Sequence, residues 1–299
     1  MRAWSPARWS IPLPEGHRFP MGKYRLVKEG IVSRGVLAES EILEPEPVST
    51  EQLHLVHRPD YVTAILDGSL DPAAQRRIGF PWSPQLPERS LRTVGGTLAA
   101  AGDALREGAG IHLAGGTHHA FPSHGEGYCV FNDVAIAIRV LQRDRLLARA
   151  TVIDLDVHQG NGTAAIFAGD PSVFTFSMHG ARNYPFKKEP SHLDLALEDG
   201  AGDGEYLELL SRHLGPLLDR TRPELLVYLA GADPYAGDRL GRLALSIEGL
   251  RERDRRVFEA CRRRGIPVVT VLGGGYPEDL ADLVTIHANT VSELLVCRG

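Results

Sequence analysis

A single α/β domain, with a mostly parallel multi-stranded sheet and helices on both faces, is the fold this sequence predicts, and three observations predict it. From about Ser90 onward, short apolar runs alternate with longer amphipathic ones. The short runs are rich in Val, Ile and Leu, as strands buried on both faces are. Each run also ends in a polar or glycine-rich cluster, as parallel strands do where their carboxyl ends form a ligand-binding edge.

The predicted strands are Ile111–Ala114, Thr151–Asp156, Val173–Ser177, Leu225–Ala230 and Pro267–Leu272. Between them lie amphipathic segments, roughly Ser90–Glu107, Asn132–Leu147, Gly204–Arg220 and Glu248–Arg264, and a last helix covers Glu278–Val296. A strand-then-helix order implies right-handed crossovers and a sheet covered on both sides. The first 85 residues are punctuated by Pro45, Pro47, Pro59, Pro72, Pro81 and Pro84, with helix-like pieces near Gly22–Ala38 and Pro59–Asp67. No boundary is visible, so residues 1–299 read as one domain. Its first part supplies an early strand, covering helices and the loops around a pocket.

Composition narrows the function classes. The chain is 43% hydrophobic and 24% charged, the balance of a soluble globular domain. A net charge of −5 offers no basic footprint for nucleic acid. The densest basic runs, Arg251 to Arg256 and Arg262 to Arg264, are mixed with Glu252, Asp254 and Glu259 and read as a solvated helix face. Cys129, Cys261 and Cys297 form neither a disulfide framework nor a Cys-only metal site, which suits a reducing compartment. Met1 to Pro20 lacks the apolar core of a signal peptide. No window approaches about 18 uninterrupted apolar residues. The expectation is a cytoplasmic protein with no membrane or nucleic-acid partner.

The chemistry sits in the clusters after the strands. They are Gly115-Gly116-Thr117-His118-His119, Asp154-Leu155-Asp156-Val157-His158, Met178-His179, Gly231-Ala232-Asp233 and Gly273-Gly274-Gly275-Tyr276. On an extended chain Asp154, Asp156 and His158 point to one side, while Leu155 and Val157 pack on the other. Two carboxylates and an imidazole together resist desolvation unless a cation lies between them. Such ligands without thiolate suit Zn²⁺ or Fe²⁺ in a site left open for water, with Asp233 completing three protein ligands. Taken alone, Asp-x-Asp-x-His is equally readable as acids that cap helices or turns. The His118-His119 pair could supply a base and an electrostatic stabiliser, though consecutive histidines also occur on functionless surface loops. Tyr276 follows three glycines, where a phenol can reach a developing oxyanion; a plain strand-to-helix turn is the alternative.

These motifs, with Gly127-Tyr128-Cys129-Val130-Phe131-Asn132-Asp133 and Gln159-Gly160-Asn161-Gly162-Thr163, resemble the arginase–deacetylase superfamily, and within it the histone deacetylases. They occur in family order over nearly the whole chain. The resemblance implies the arginase–deacetylase fold, with the site at the C-terminal strand ends. It further implies a zinc site of Asp156, His158 and Asp233. His119 matches the general base and acid, His118 its charge-supporting partner, and Tyr276 the carbonyl-polarising tyrosine. Asp154 matches the carboxylate that orients His118, and Asn161 the partner of His119, where some members carry Asp. A structural K⁺ is implied, held by Asp154, Asp156, His158, Ser177 and Met178. Gly127, Tyr128 and Gly274 match the walls of an acyl-lysine tunnel, with Tyr184 as the facing aromatic. The compact length and Met178–Pro185 look like small, class IV-like bacterial members. The acidic rim residue of many deacetylases has no counterpart that can be placed in Asp71–Pro84.

The implied activity is hydrolysis of an acyl-amide, acetyl before others, on a lysine-like or polyamine amine, with an acylated lysine peptide or small acylamine as substrate. Two competitors share the fold. A ureohydrolase of arginase type would need two manganese ions, but no second aspartate precedes Asp233 by two residues. A non-catalytic acyl-lysine reader would have shed a ligand or the tyrosine, and none is missing.

Overall fold

Strands in this chain are buried on both sides, and their residues divide between two cores. In β7 (Leu225–Leu229), Leu225, Val227 and Leu229 face one hydrophobic cluster, and Leu226 and Tyr228 the other. In β4 (Ala150–Asp154), Val152 and Ile153 divide the same way. This two-sided burial explains why apolar runs, rather than alternating ones, mark the strands.

The computed structural model describes residues 1–298. Among them eight strands form one sheet in the order β2-β1-β3-β8-β7-β4-β5-β6, and every pairing is parallel. The other strands are β1 (Ala3–Trp4), β2 (Ile42–Leu43), β3 (Ala109–His112), β5 (Val173–Gly180), β6 (Leu193–Leu197) and β8 (Val268–Val271). One face is covered by α1 (Lys23–Ser33), α8 (Asp203–Thr221), α9 (Ile247–Arg262) and α10 (Leu280–Arg298). The other is covered by α5 (Gln85–Glu107) and α6 (Asp133–Arg143). The early α2 (Thr50–Leu53), α3 (Pro59–Asp67) and α4 (Pro72–Ile78) join a third cluster, which also contains Phe19, Val130, Phe131 and Tyr276. The last core element, α7 (Asn161–Ile166), follows β4.

The α/β architecture, the parallel sheet and the two-sided helices agree with the sequence reading. Several boundaries differ. The strand predicted over Thr151–Asp156 ends at Asp154, and the helix predicted to Leu147 ends at Arg143, where Arg145 takes φ +58°. The strands β1, β2 and β6, of which β2 and β6 are the sheet edges, were not foreseen individually. They are short or half exposed, so they lack the continuous apolar run of the central strands. Leu280–Cys297 is long and apolar enough to cross a membrane by length and composition alone. In the fold, Leu283, Ile286, Val291 and Leu294 of this helix are buried in the core it shares with α9 and α1.

Candidate active site

Four adjacent strands at the centre of the sheet, β3-β8-β7-β4, deliver the clusters singled out in the sequence to a single cleft. His118 and His119 follow β3, Gly274 and Tyr276 follow β8, Asp233 follows β7, and Asp156 and His158 follow β4. The cleft holds about 500 Å³ and is lined by all seven of these residues.

Beyond Asp154 the chain does not stay extended, which corrects the alternating-strand picture of Asp154, Asp156 and His158. Carboxylates there take over the role of the ladder. Asp154 Oδ1 accepts the Asp156 N–H (3.1 Å), Asp156 Oδ1 accepts the His158 N–H (2.9 Å) and Asp233 Oδ1 accepts the Val157 N–H (2.9 Å). Side-chain acceptors that compete with regular pairing in this way turn the backbone. The turn still gathers one donor atom each from Asp156, His158 and Asp233 within 4.8 Å of one another.

That donor set fits a divalent cation. His158 Nδ1 stands 3.0 Å from Asp156 Oδ1 and 3.2 Å from Asp233 Oδ2. Asp233 Oδ2 is buried yet accepts no hydrogen bond among the described residues. Burial and the neighbouring Asp156 charge push the Asp233 carboxyl up to about 7. Burial would lower the His158 pKa, but Asp156 and Asp233 outweigh it and raise it to about 10. A field that draws a proton so strongly to Nδ1 would equally draw a cation, which competes for the same lone pair. Gly274 completes the cradle: its N–H donates to Asp156 Oδ2 (2.7 Å), and a Cβ there would collide with the Asp233 carboxylate.

The two histidines, with ring centroids 4.1 Å apart, are driven in opposite directions. Burial disfavours the charged His118, but Asp154 (Oδ2 2.6 Å from Nδ1) and Asp156 outweigh it and raise its pKa to about 9. His119 lies well below the ordinary imidazole value because of burial, then the charges of His118 and His158. Its Nδ1 faces Asn161 Oδ1 at 2.7 Å, and Asn161 Nδ2 donates to Glu126 Oε1 at 2.7 Å. A carboxylate only accepts, so Glu126 orients the amide, and the amide oxygen in turn requires the proton on His119 Nδ1. The Nε2 lone pair is thereby left free. The sequence reading made Asn161 the neutral end of this pairing; the structure places a carboxylate one step further out.

Tyr276 is 8% exposed, and its hydroxyl has no hydrogen-bond partner among the described residues. Burial and the Asp233 charge hold the phenol far above its ordinary pKa, so it remains a proton donor. Its backbone is clamped by Asp238, which accepts its N–H (2.5 Å), and by Arg239 Nε, which donates to its carbonyl (3.1 Å). The buried Lys23 Nζ lies 4.6 Å from the Tyr276 ring centroid and donates to the Gly275 carbonyl (3.3 Å). Gly127 and Tyr128, both left-handed at φ +57° and +67°, form one wall with Phe19, whose ring lies 5.1 Å from that of Tyr128. Tyr184 faces them 4.9 Å from the His119 ring, and a Cβ on Gly127 would come within 2.7 Å of His119 and 3.1 Å of Tyr184. The passage between these walls needs that glycine.

The β4–β5 register sets Asp154 opposite Ser177, with Met178 next along β5. Ser177 and Met178 thus lie beside Asp154, whose Oδ2 meets His118 Nδ1. The Ser177 hydroxyl lies 2.9 Å from His179 Nδ1.

Three contributors were missed in the sequence. Glu126 carried no motif signal. Lys23 sits in a helix first read only as a cover. Arg253 contradicts the solvated-face reading of Arg251–Arg256: it is fully buried, and its Nη1 donates to the carbonyls of Leu155 (3.2 Å) and Gly231 (2.6 Å). It braces the two loops that carry Asp156 and Asp233, and Asp254 accepts from its Nε at 2.9 Å. The available signal was helical: Arg253 and Asp254 lie between Leu250 and Val257 on the buried stripe.

Residues 17–291 match the family model described as "Histone deacetylase domain". Histone deacetylase 2 of Arabidopsis thaliana is 32% identical over 293 residues, covering 92% of this chain and 74% of that protein. An uncharacterized protein of a Picosynechococcus species is 49% identical over 277 residues, 93% of this chain and 92% of that one. The acetoin utilization protein AcuC of Staphylococcus xylosus is 28% identical over 259 residues, 79% and 67% respectively. Two solved structures share the fold. The HDA15 HD domain has a TM-score of 0.83 at 20% identity, covering 99% of this chain and 91% of that one. An HDAC homolog complexed with SAHA has a TM-score of 0.82 at 24% identity, covering 99% and 84%.

Proposed function

The chain belongs to the histone deacetylase family, and from that premise we propose that it hydrolyses an acyl-amide, acetyl before others, on a lysine-like or polyamine amine. The observation that carries this reading is the meeting of Asp156, His158 and Asp233 within 4.8 Å, in a cleft shared with His119 and Tyr276.

Asp156, His158 and Asp233 would hold a divalent ion, Zn²⁺ with Fe²⁺ suiting the same donors, whose chemistry there is Lewis acidity. The tunnel residues Gly127, Tyr128, Tyr184 and Gly274 admit a slender acylated chain and strip water from it. His119 Nε2 takes a proton from the attacking water as its oxygen bonds to the carbonyl carbon. When the C–N bond breaks, the same proton goes to the leaving nitrogen, so the histidine ends as it began. A neutral imidazole with a depressed pKa accepts at working pH and, once protonated, is a strong acid toward the amine. The Tyr276 hydroxyl donates to the oxygen on which charge develops. His118, cationic against Asp154, faces that negative charge. Asp154, Ser177 and the backbone at Asp156, His158 and Met178 would hold K⁺ and stiffen the floor beneath His118.

Asp156, His158 and Asp233 form the one such cluster among the described residues, which supports a single ion over the paired manganese of a ureohydrolase. We further propose a cytoplasmic location, which its three free cysteines suit.

The deciding experiment is a kinetic screen of the ion-loaded protein against acetyl-lysine peptides, long-acyl peptides and acetylpolyamines. Turnover blocked by a hydroxamate is expected. Inertness toward the whole panel with the ion bound would overturn the reading and favour a non-catalytic acyl-lysine reader.

A further inference from the structure

Although the chain carries a net charge of −5, the mouth of its cleft is cationic. Arg18, Arg76, Arg77, Arg182 and Arg242 line it, and among the described residues the only carboxylates in the lining are Asp156 and Asp233 at the floor. Arg242 is paired with Asp199 at 3.0 Å, and Arg182 lies 3.8 Å from both Glu198 and Asp199. Arg18, Arg76 and Arg77 differ: they are exposed and form no ion pair among the described residues.

These three cations are fixed to one wall. Arg76 and Arg77 occupy the last turn of α4, which Gly79 ends in a left-handed cap. The Gly127 N–H donates to the Arg77 carbonyl (3.2 Å) and the Tyr128 N–H to the Ile78 carbonyl (2.8 Å), so that helix end is stitched to the tunnel wall. His17 Nε2 donates to the Gly79 carbonyl (2.9 Å), and its Nδ1 accepts the Phe19 N–H (3.1 Å), which anchors Arg18 between them. Favourable placement of two arginines at a helix C-terminus would explain Arg76 and Arg77, but not Arg18. Asp71, the acid nearest in sequence to Arg76 and Arg77, is spent capping α4, where it accepts from the Ala73 and Ala74 N–H groups.

An acyl-amide with its carbonyl at the floor leaves the rest of its amine at this mouth. Resting on the hydrolase reading above, we propose that Arg18, Arg76 and Arg77 select acyl-lysine substrates bearing carboxylates beside the acylated side chain, and disfavour acetylpolyamines. The carboxylate can come from acidic flanking residues or from the α-carboxylate of the amino acid itself. Unpaired guanidiniums gain bidentate partners from either, whereas a polyamine brings only like charge.

The test uses the ion-loaded full chain. kcat/KM is measured for acetyl-lysine peptides flanked by Glu, by neutral residues or by Lys, for free Nε-acetyl-lysine against its α-amide, and for an acetylpolyamine. The Glu-flanked peptide should exceed the Lys-flanked one by on the order of tenfold, chiefly through KM. Because these charges are exposed, the preference should shrink as salt rises. A preference confined to peptides identifies flanking acids as the source, and one between free acetyl-lysine and its amide identifies the α-carboxylate. Combined Arg18→Glu, Arg76→Glu and Arg77→Glu should reverse the preference, while Arg212→Glu on α8 leaves the ratio unchanged. If the triple variant fails to fold, Arg18→Glu and Arg76→Glu made singly carry the same test.

Equal kcat/KM across charges, or a preference for cationic substrates, overturns this inference and leaves hydrolysis standing. No turnover of any substrate defeats the hydrolase reading instead. Fluorescence anisotropy with the labelled Glu- and Lys-flanked peptides then still decides the mouth: tighter binding of the acidic peptide upholds the selection, and equal binding overturns it.

Discussion

At the floor of the cleft, His118, His119, Asp154, Asp156 and Asp233 are at most 4% exposed, and each makes a hydrogen bond to a named partner there. At the mouth, Arg18, Arg76 and Arg77 are exposed, and their positions come from backbone bonds of the segments that carry them. The floor therefore works at low dielectric, where removing one partner strands another. The mouth works in water, where each charge is screened and only the sum discriminates. On the proposed function, chemistry is built where single residues matter most, and selection where they can vary cheaply.

That contrast can be broken or sharpened by experiment. The largest effect should come from Asp233→Ala. Ion content, measured by elemental analysis on the purified protein, should fall from about one per chain to near zero, and turnover should vanish with it. Full ion content in that variant would remove Asp233 from the ligand set. Next, Tyr276→Phe should lower kcat on the order of 10²–10³-fold with ion content unchanged, the scale of a lost oxyanion donor. A variant as fast as the parent would strip the phenol of its role.

Acid should weaken the frame beneath the tunnel wall. His57 is neutral in the fold, since its Nε2 accepts the Asn132 N–H (2.9 Å) and its Nδ1 donates to the Phe121 carbonyl (3.0 Å), and burial pushes its pKa down to about 4. A depressed value means that the unfolded chain takes up the proton first. The stability His57 carries is complete above about pH 6.5 and is lost as pH falls toward 4, by about 2 kcal/mol at pH 5. Denaturant melts between pH 7 and 4 should show this slope, and His57→Gln should flatten it by about one proton; an unchanged slope would contradict the neutral His57. The smallest of the four effects belongs to Glu126→Gln, which frees the Asn161 amide to turn. Loss of a supporting partner of this kind costs about tenfold in kcat. The pH–rate profile should shift as well, because His119 loses the control of its tautomer. An unmoved profile would show that Asn161 holds its orientation unaided.

The central sheet was legible because its physics is local. Strands such as Leu225–Leu229 are buried on both faces, so their apolar runs stand out whatever surrounds them. Ala3–Trp4 and Ile42–Leu43 have two residues each and add to the sheet in series, β1 on β3 and β2 on β1, so no local signal announced them. Within the site, Asp156, His158, Asp233, His118, His119 and Tyr276 were found because each follows a readable strand. Glu126 was invisible because its role exists only through Asn161, 35 residues away. Arg253 was misread because charge density was weighed over helical phase.

The amino-acid sequence by itself determined the parallel α/β order, the strand-end clusters and the family they spell out, because strand burial and turn chemistry act over a few residues. The tertiary structure alone decided that β3, β8, β7 and β4 lie side by side, so that 118, 156, 233 and 276 meet in one cleft. It also decided which of many arginines is buried to brace the floor and which stand unpaired at the mouth. Charge pairing and burial depend on distances across the fold, and those distances are set only when the whole chain has packed.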